Sequence, residues 1–171
     1  MNNYIFHAVE KLIKKHKTRD PFEILQHMGV IVFETDKYQK LKGYCFLSHR
    51  TLYVAINEYL SEEEKRIVAA HELGHIILHR SLLCMAPMKD SVLYNMTDKT
   101  EYEANLFASD LLLPDDDVFD ITHKSDLDYF GLCSTLNTTP ELMSFKLYSL
   151  IRRGNNEYQI PIGIDSKFLG K

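Results

Sequence analysis

Apolar positions along this chain of 171 residues follow a helical period in some segments and alternate with polar positions in others. Segments with the helical period predict helices over about residues 2–16, 21–29, 61–79, 100–113 and 140–153. Short β-prone runs predict strands at about 30–33, 41–47 and 51–56. Residues 48–50 separate the last two runs, which we interpret as a hairpin. This mixture predicts an α+β fold with a small antiparallel or mixed sheet.

The segment between the helices predicted near 100–113 and 140–153 has a less regular pattern. Acidic residues in this segment are typical of helix starts and solvated surface. They are Asp115, Asp116, Asp117, Asp120, Asp126 and Asp128. A calcium loop is not indicated, because its spacing and its glycine are missing. Residues 159–171 are expected to add a strand or to remain mobile.

Composition indicates where the protein is located and which partners are unfavourable. The formal net charge of −4 gives no general attraction to nucleic acid or acidic membranes. No apolar run approaches the length of a membrane span, and the N-terminus lacks a signal pattern. The three cysteines, Cys45, Cys84 and Cys133, are odd in number and widely spaced, which favours reduced thiols. We therefore expect a cytoplasmic protein with no membrane partner.

The helix predicted at 61–79 carries the sequence His-Glu-Leu-Gly-His at positions 71–75. His71 and His75 are four residues apart, so they lie on one helix face and can bind the same ion. Glu72 lies beside them as a candidate general base. A chance polar patch is the alternative, but burying these groups in an apolar helix is costly unless a cation satisfies them. The motif therefore predicts a zinc site with a polarised water.

A catalytic zinc ion commonly has three protein ligands. His79 is excluded, because eight residues of helix rise about 12 Å between it and His71. The next predicted helix offers Glu101, with Asn105 on the same face and Glu103 pointing elsewhere. We predict that Glu101 is the third ligand and that Asn105 hydrogen-bonds a liganding histidine. Acidic enrichment of a first helical turn is the alternative reading of Glu101 and Glu103.

Two groups of motifs together resemble the ImmA/IrrE family of bacterial and phage metallo-endopeptidases. The matching segments are residues 20–22, 29–30, 56–58, 61–66, 70–75 with His79, 101–108 and 111–114. The resemblance implies a compact gluzincin-like domain with His71, His75 and Glu101 as metal ligands and Glu72 as the catalytic base. We expect one domain over residues 1–171. It comprises a catalytic core at about 18–114 and a helical C-terminal extension at about 115–171.

The resemblance further implies that a helix-turn-helix repressor of a mobile element, phage or stress regulon is the substrate. We expect one Zn²⁺ ion, with Mn²⁺ or Fe²⁺ as alternatives for this ligand set. The strand at 51–56 is expected to be an edge strand that aligns the peptide. Tyr53, Tyr102 and His123 are open candidates for stabilising an oxyanion.

Two other functions are compatible with parts of the sequence. Residues 125–150 have a helix-turn-helix character, but their few basic residues argue against DNA recognition. The other rival is a regulator that binds DNA or a repressor, with a structural or sensory zinc ion and no proteolytic turnover.

Overall fold

The computed structural model describes residues 3–37, 41–85, 98–124 and 126–160. Within these residues, eight helices and three strands form an α+β fold, as predicted. In chain order they are α1 Tyr4–His16, α2 Pro21–His27, β1 Ile31–Thr35, β2 Gly43–Ser48, β3 Thr51–Asn57, α3 Glu62–Leu78, α4 Arg80–Met85, α5 Asp98–Leu112, α6 Asp115–Lys124, α7 Tyr129–Thr135 and α8 Pro140–Arg152. The expectation for 161–171 lies outside the described residues, as does that for the Cys84 side chain.

The three strands form a mixed sheet in the order β1-β3-β2. β2 and β3 are an antiparallel hairpin whose turn residues, His49 and Arg50, both have positive φ. Two successive positive φ values are typical of the tight turn that suits the twist of such hairpins. β1 pairs in parallel with β3, so β3 is the central strand. The prediction that 51–56 is an edge strand is therefore wrong.

The longest helix, α3, packs against one face of the sheet and against α5. Its N-terminus is closed by a capping box in which the Ser61 hydroxyl accepts from the Glu64 N–H and the Glu64 carboxylate accepts from the Ser61 N–H. The helix is buried continuously from Ile67 to Ile76. Because this helix is buried, each of its polar side chains needs a hydrogen-bonding or charged partner within the protein.

A buried network of charged side chains connects the C-terminal helices to α5. The Lys146 ammonium on α8 is fully buried and donates to Asp110 Oδ1 at 3.1 Å and to Asp115 Oδ1 at 2.6 Å. Arg153 donates to the same Asp115 carboxylate, and the Ser149 hydroxyl donates to Asp110 Oδ2 at 2.8 Å. These contacts join α5, the start of α6 and α8, and so fix the helix that carries Glu101.

Local sequence signals account for the region that the apolar pattern left irregular. The three aspartates at 115–117 form the first turn of α6, and the Asp128 carboxylate caps α7 by accepting from the Gly131 N–H. These acids are helix starts, as predicted. Helix α4 was not predicted. Among the described helices, none combines the length and apolar character that crossing a membrane requires.

Candidate active site

Helix α3 aims the imidazoles of His71 and His75 at a common point. Their Nε2 atoms lie 3.0 Å apart, and both residues are buried, with exposed fractions of 4% and 2%. The residues are one helical turn apart, so their side chains lie over the same stretch of helix surface. Two buried ring nitrogens on one helix face can therefore bind the same metal ion.

Helix α5 brings the Glu101 carboxylate to the same point. Its Oε2 atom lies 3.3 Å from His71 Nε2, and its Oε1 atom lies 3.4 Å from His75 Nε2. One ligand atom from each of the three residues falls within 4.8 Å of the other two. Two imidazole nitrogens and a carboxylate oxygen suit Zn²⁺ and leave a fourth coordination position available for water or substrate.

The two helices can approach this closely because α3 has no side chain at Gly74. A Cβ atom there would lie 3.2 Å from both Cα and the carbonyl oxygen of Ala104, and 3.2 Å from the Phe107 ring. Most of that contact would be with the backbone of α5, which cannot rotate away. The glycine between the two histidines therefore sets the spacing of the ligand-bearing helices.

Burial and the neighbouring carboxylates control the charges of the histidines. Burial lowers the pKa of His75 to about 4, against the opposing effect of its hydrogen bond to Glu101. Burial also disfavours charge on His71, but the hydrogen bond to Glu101 and the charges of Glu72 and Glu101 raise its pKa overall. Burial would raise the pKa of Glu101, yet hydrogen bonds from both histidines hold it well below its ordinary value. An ionised Glu101 is the form that binds a cation.

Glu72 is buried beside the histidines. Desolvation raises its pKa to about 7, while the charge of His71 and hydrogen bonds from the Cys45 thiol and backbone N–H act in the opposite direction. A carboxylate whose pKa lies near neutrality can accept and release a proton under physiological conditions. The side chain is therefore suited to general base chemistry next to the three ligand candidates.

The pairing of β2 explains why Cys45 reaches Glu72. The Asn57 N–H donates to the Lys42 carbonyl at 2.9 Å, and hydrogen-bonded pairs alternate along an antiparallel ladder. Cys45, opposite Val54, therefore occupies a non-hydrogen-bonded pair, and its N–H points away from β3. The Glu72 carboxylate thus lies beside the outer edge of β2.

The outer nitrogens of both histidines have partners. His71 Nδ1 lies 2.7 Å from Asn105 Oδ1, and His75 Nδ1 lies 3.1 Å from His79 Nδ1. His79 Nε2 in turn lies 2.9 Å from Glu103 Oε2. As expected, His79 lies at the C-terminus of its helix and outside the ligand cluster. Its burial and its contact with Glu103 were not predicted.

The site contains the residues that the sequence predicted, and it also contains Cys45, which was not predicted. The predicted residues are His71, Glu72, His75, Glu101 and Asn105. No spacing rule links a strand residue to a helix that follows much later in the chain. The three candidates for an oxyanion donor make contacts of other kinds. Tyr53 stacks on Phe46, Tyr102 packs edge-on against Phe145 and Tyr148, and His123 bonds the Phe119 carbonyl.

Most of the chain matches a known protein family. The sequence profile of the Peptidase_M78 family, described as the IrrE N-terminal-like domain, matches residues 25–148. That range extends past Pro114 and includes most of α8.

Two relatives are each similar to a little under two thirds of the chain. Uncharacterized immunity region protein 2 of Bacillus phage phi105 is 39% identical over 109 residues, which cover 63% of this chain and 67% of the relative. Metallopeptidase ImmA of Bacillus subtilis strain 168 is 34% identical over 113 residues, or 65% of this chain and 64% of the relative. The chain thus spans slightly less than two thirds of the length of ImmA. This protein belongs to the Peptidase_M78 family of metallopeptidases.

Proposed function

We propose that this metallopeptidase is a gluzincin-like, zinc-dependent endopeptidase. In this proposal His71, His75 and Glu101 hold one zinc ion, and Glu72 is the general base. The observation that carries the proposal is the convergence of three ligand atoms within 4.8 Å, with a buried carboxylate beside them. Mn²⁺ and Fe²⁺ can also use such a ligand set.

The catalytic role of Glu72 follows from its position and its pKa of about 7. When bound, the ion activates a water molecule for attack and polarises the scissile carbonyl. The Glu72 carboxylate accepts the proton of the attacking water. It then returns a proton to the nitrogen of the leaving amine. The Cys45 N–H and thiol hold the carboxylate in place for both transfers.

The substrate that we propose is a helix-turn-helix transcriptional repressor of a mobile element, phage or stress regulon. The resemblance to the ImmA/IrrE family supports this class, and one relative is a phage protein named after an immunity region.

The outer edge of β2 is the position that we propose for the peptide. β3 is paired on both sides, whereas β2 is an edge strand of the sheet. By the same alternation residues 43 and 47 direct their backbone groups away from β3, on either side of Cys45, whose N–H already bonds the Glu72 carboxylate. A peptide paired there would pass beside Glu72. Main-chain pairing would align the substrate without demanding a particular sequence.

DNA binding receives no support from the helices at 129–152. A recognition helix must present basic side chains to a groove. In α8, however, Lys146 is fully buried and engaged with Asp110 and Asp115. The residues around it, 142–145 and 147, are also buried. The helix is used for packing against α5, the helix that carries Glu101.

Mass spectrometry after incubation with purified helix-turn-helix repressors tests the substrate class. Candidates are the repressors encoded next to the gene for this chain. We expect one discrete cleavage that a chelator prevents and that added Zn²⁺ restores. A Glu101→Ala variant should show no cleavage. If the zinc-loaded protein bound a repressor but produced no new peptide terminus, the result would instead support the alternative function, a regulator that binds a repressor without cleaving it.

A further inference from the structure

His79 has hydrogen-bonding partners at both ring nitrogens, although it is not part of the ligand cluster. Its exposed fraction is only 6%, and it follows His75 by one helical turn. Nδ1 faces His75 Nδ1 at 3.1 Å, and Nε2 faces Glu103 Oε2 at 2.9 Å. The ring therefore links a candidate metal ligand on α3 to a carboxylate on α5.

Only one placement of protons satisfies this chain of contacts when His75 acts as a ligand. A neutral imidazole carries one N–H donor and one acceptor nitrogen. If His75 Nε2 faces the ion, its proton lies on Nδ1, which donates to His79 Nδ1. The His79 proton must then lie on Nε2, which donates to the Glu103 carboxylate. Each nitrogen has the partner that its protonation requires.

Glu103 is itself held as the acceptor at the end of this chain. The Tyr4 hydroxyl on α1 donates a hydrogen bond to its carboxylate, and Lys99 Nζ lies 3.8 Å from its Oε1 atom. The Glu103 side chain retains 14% exposure. The chain of hydrogen bonds thus runs from Tyr4 through Glu103 and His79 to His75, and it crosses three helices.

We propose that His79 and Glu103 are positioning residues for metal binding. They fix the tautomer and ring orientation of His75, as Asn105 does for His71. This inference rests on the proposed metal site. Partners of this kind orient a liganding imidazole and raise its basicity, and their loss commonly weakens metal affinity about 10–100-fold. If His79 only filled space at the end of α3, its hydrogen bonds would not affect metal affinity.

Replacement of His79 by Leu and by Asn separates these two roles. Leucine removes both ring nitrogens but keeps an apolar group of similar bulk. Asparagine places its amide oxygen near the position of Nδ1, so it can still accept from His75. We would measure Zn²⁺ affinity by competition with a chromogenic chelator. The visible absorption of Co²⁺-loaded protein would report the ligand geometry, and circular dichroism of metal-free protein would establish folding.

The proposal predicts that His79→Leu binds Zn²⁺ about 10–100-fold more weakly, with an altered Co²⁺ spectrum. His79→Asn should recover most of that affinity. Glu103→Leu, at a partly exposed position, should weaken binding in the same direction and provides a second test if His79→Leu does not fold. Arg80→Met is the matched control, since Arg80 directly follows His79 and is exposed. It should leave the affinity unchanged.

A folded His79→Leu variant with wild-type affinity and spectrum would overturn the positioning role. An affinity of His79→Asn no better than that of His79→Leu would do the same. Failure of the wild-type protein to bind one ion through His71, His75 and Glu101 is a different outcome. That result would overturn the proposed metal site itself.

Discussion

The amide oxygen of Asn105 lies 2.7 Å from Nδ1 of His71, on the side of the ring opposite Glu101. When His71 binds an ion, this contact keeps its proton on Nδ1 and leaves Nε2 free to face the ligand cluster. Asn105 is completely buried, so no water can replace its oxygen. We predict that Asn105→Leu weakens Zn²⁺ binding about 10–100-fold.

Chelator competition measures this change, and Asn105→Asp is the comparison because it keeps an oxygen acceptor. The aspartate should bind Zn²⁺ more tightly than the leucine variant. Equal affinities for the leucine variant and the wild type would show that the hydrogen bond has no part in metal binding.

Asn105 could be predicted from the sequence because helical spacing puts it on the same face as Glu101, and the proposed metal site brings Glu101 to the histidines. Positions 71 and 75, and positions 101 and 105, are each four residues apart on a helix, and helical spacing alone puts each pair on one face. The capping box of α3 is local in the same sense, because Ser61 and Glu64 are three residues apart. Contacts within one helix depend on a short stretch of chain.

Contacts between distant elements that share no metal ligand could not be predicted in this way. The parallel pairing of β1 with β3 depends on which edge of β3 each neighbouring strand occupies, and no local pattern encodes it. The proximity of Cys45 to Glu72 follows from that sheet order. The contact of His79 with Glu103 depends on how closely α3 and α5 pack, which Gly74 permits.

Gly74→Ala should push the two ligand-bearing helices apart. The new methyl group would lie 3.2 Å from the backbone of Ala104, so one helix must shift by a few tenths of an ångström. Alanine favours an isolated helix by about 1 kcal/mol, but overpacking costs about 1–3 kcal/mol. We expect a lower free energy of unfolding and weaker Zn²⁺ binding, measured by urea denaturation and chelator competition. A more stable variant with unchanged affinity would show that the spacing of α3 and α5 is not limiting.

Cys45 should influence catalysis through Glu72. Its thiol donates to the carboxylate, and this hydrogen bond lowers the pKa of Glu72 against the effect of burial. Cys45→Ala removes the donor, so the pKa of Glu72 should rise and the acidic limb of the pH–rate profile should move to higher pH. Cys45→Ser keeps a donor and should shift the limb less. Metal content should not change in either variant, and an unshifted limb in Cys45→Ala would exclude this role.

Asp115 should stabilise the fold in a pH-dependent manner. Burial opposes its charge, but hydrogen bonds from Arg153 and Lys146 lower its pKa to about 2, below its unfolded value of about 3.9. The stabilisation is therefore complete above about pH 4 and disappears as the pH falls through about 2. Its size is on the order of 2 kcal/mol.

Urea denaturation of Asp115→Asn at pH 7 and near pH 2 tests this assignment. The difference from the wild type should be largest at pH 7 and should shrink in acid. Asp120→Asn is the control on the same helix, because its ion pair with Lys124 is exposed and should contribute less than about 1 kcal/mol. A difference for Asp115→Asn that stays constant with pH would contradict the account.

The central claim is that Glu72 is the base of a metal-dependent peptidase whose ligands are His71, His75 and Glu101. The most direct measurement is the rate of repressor cleavage by Glu72→Gln protein that carries one Zn²⁺ ion per chain. We predict that glutamine leaves metal binding intact and lowers the cleavage rate at least about 100-fold, because no group can accept the water's proton. Cleavage at the wild-type rate by the fully loaded variant would contradict the claim.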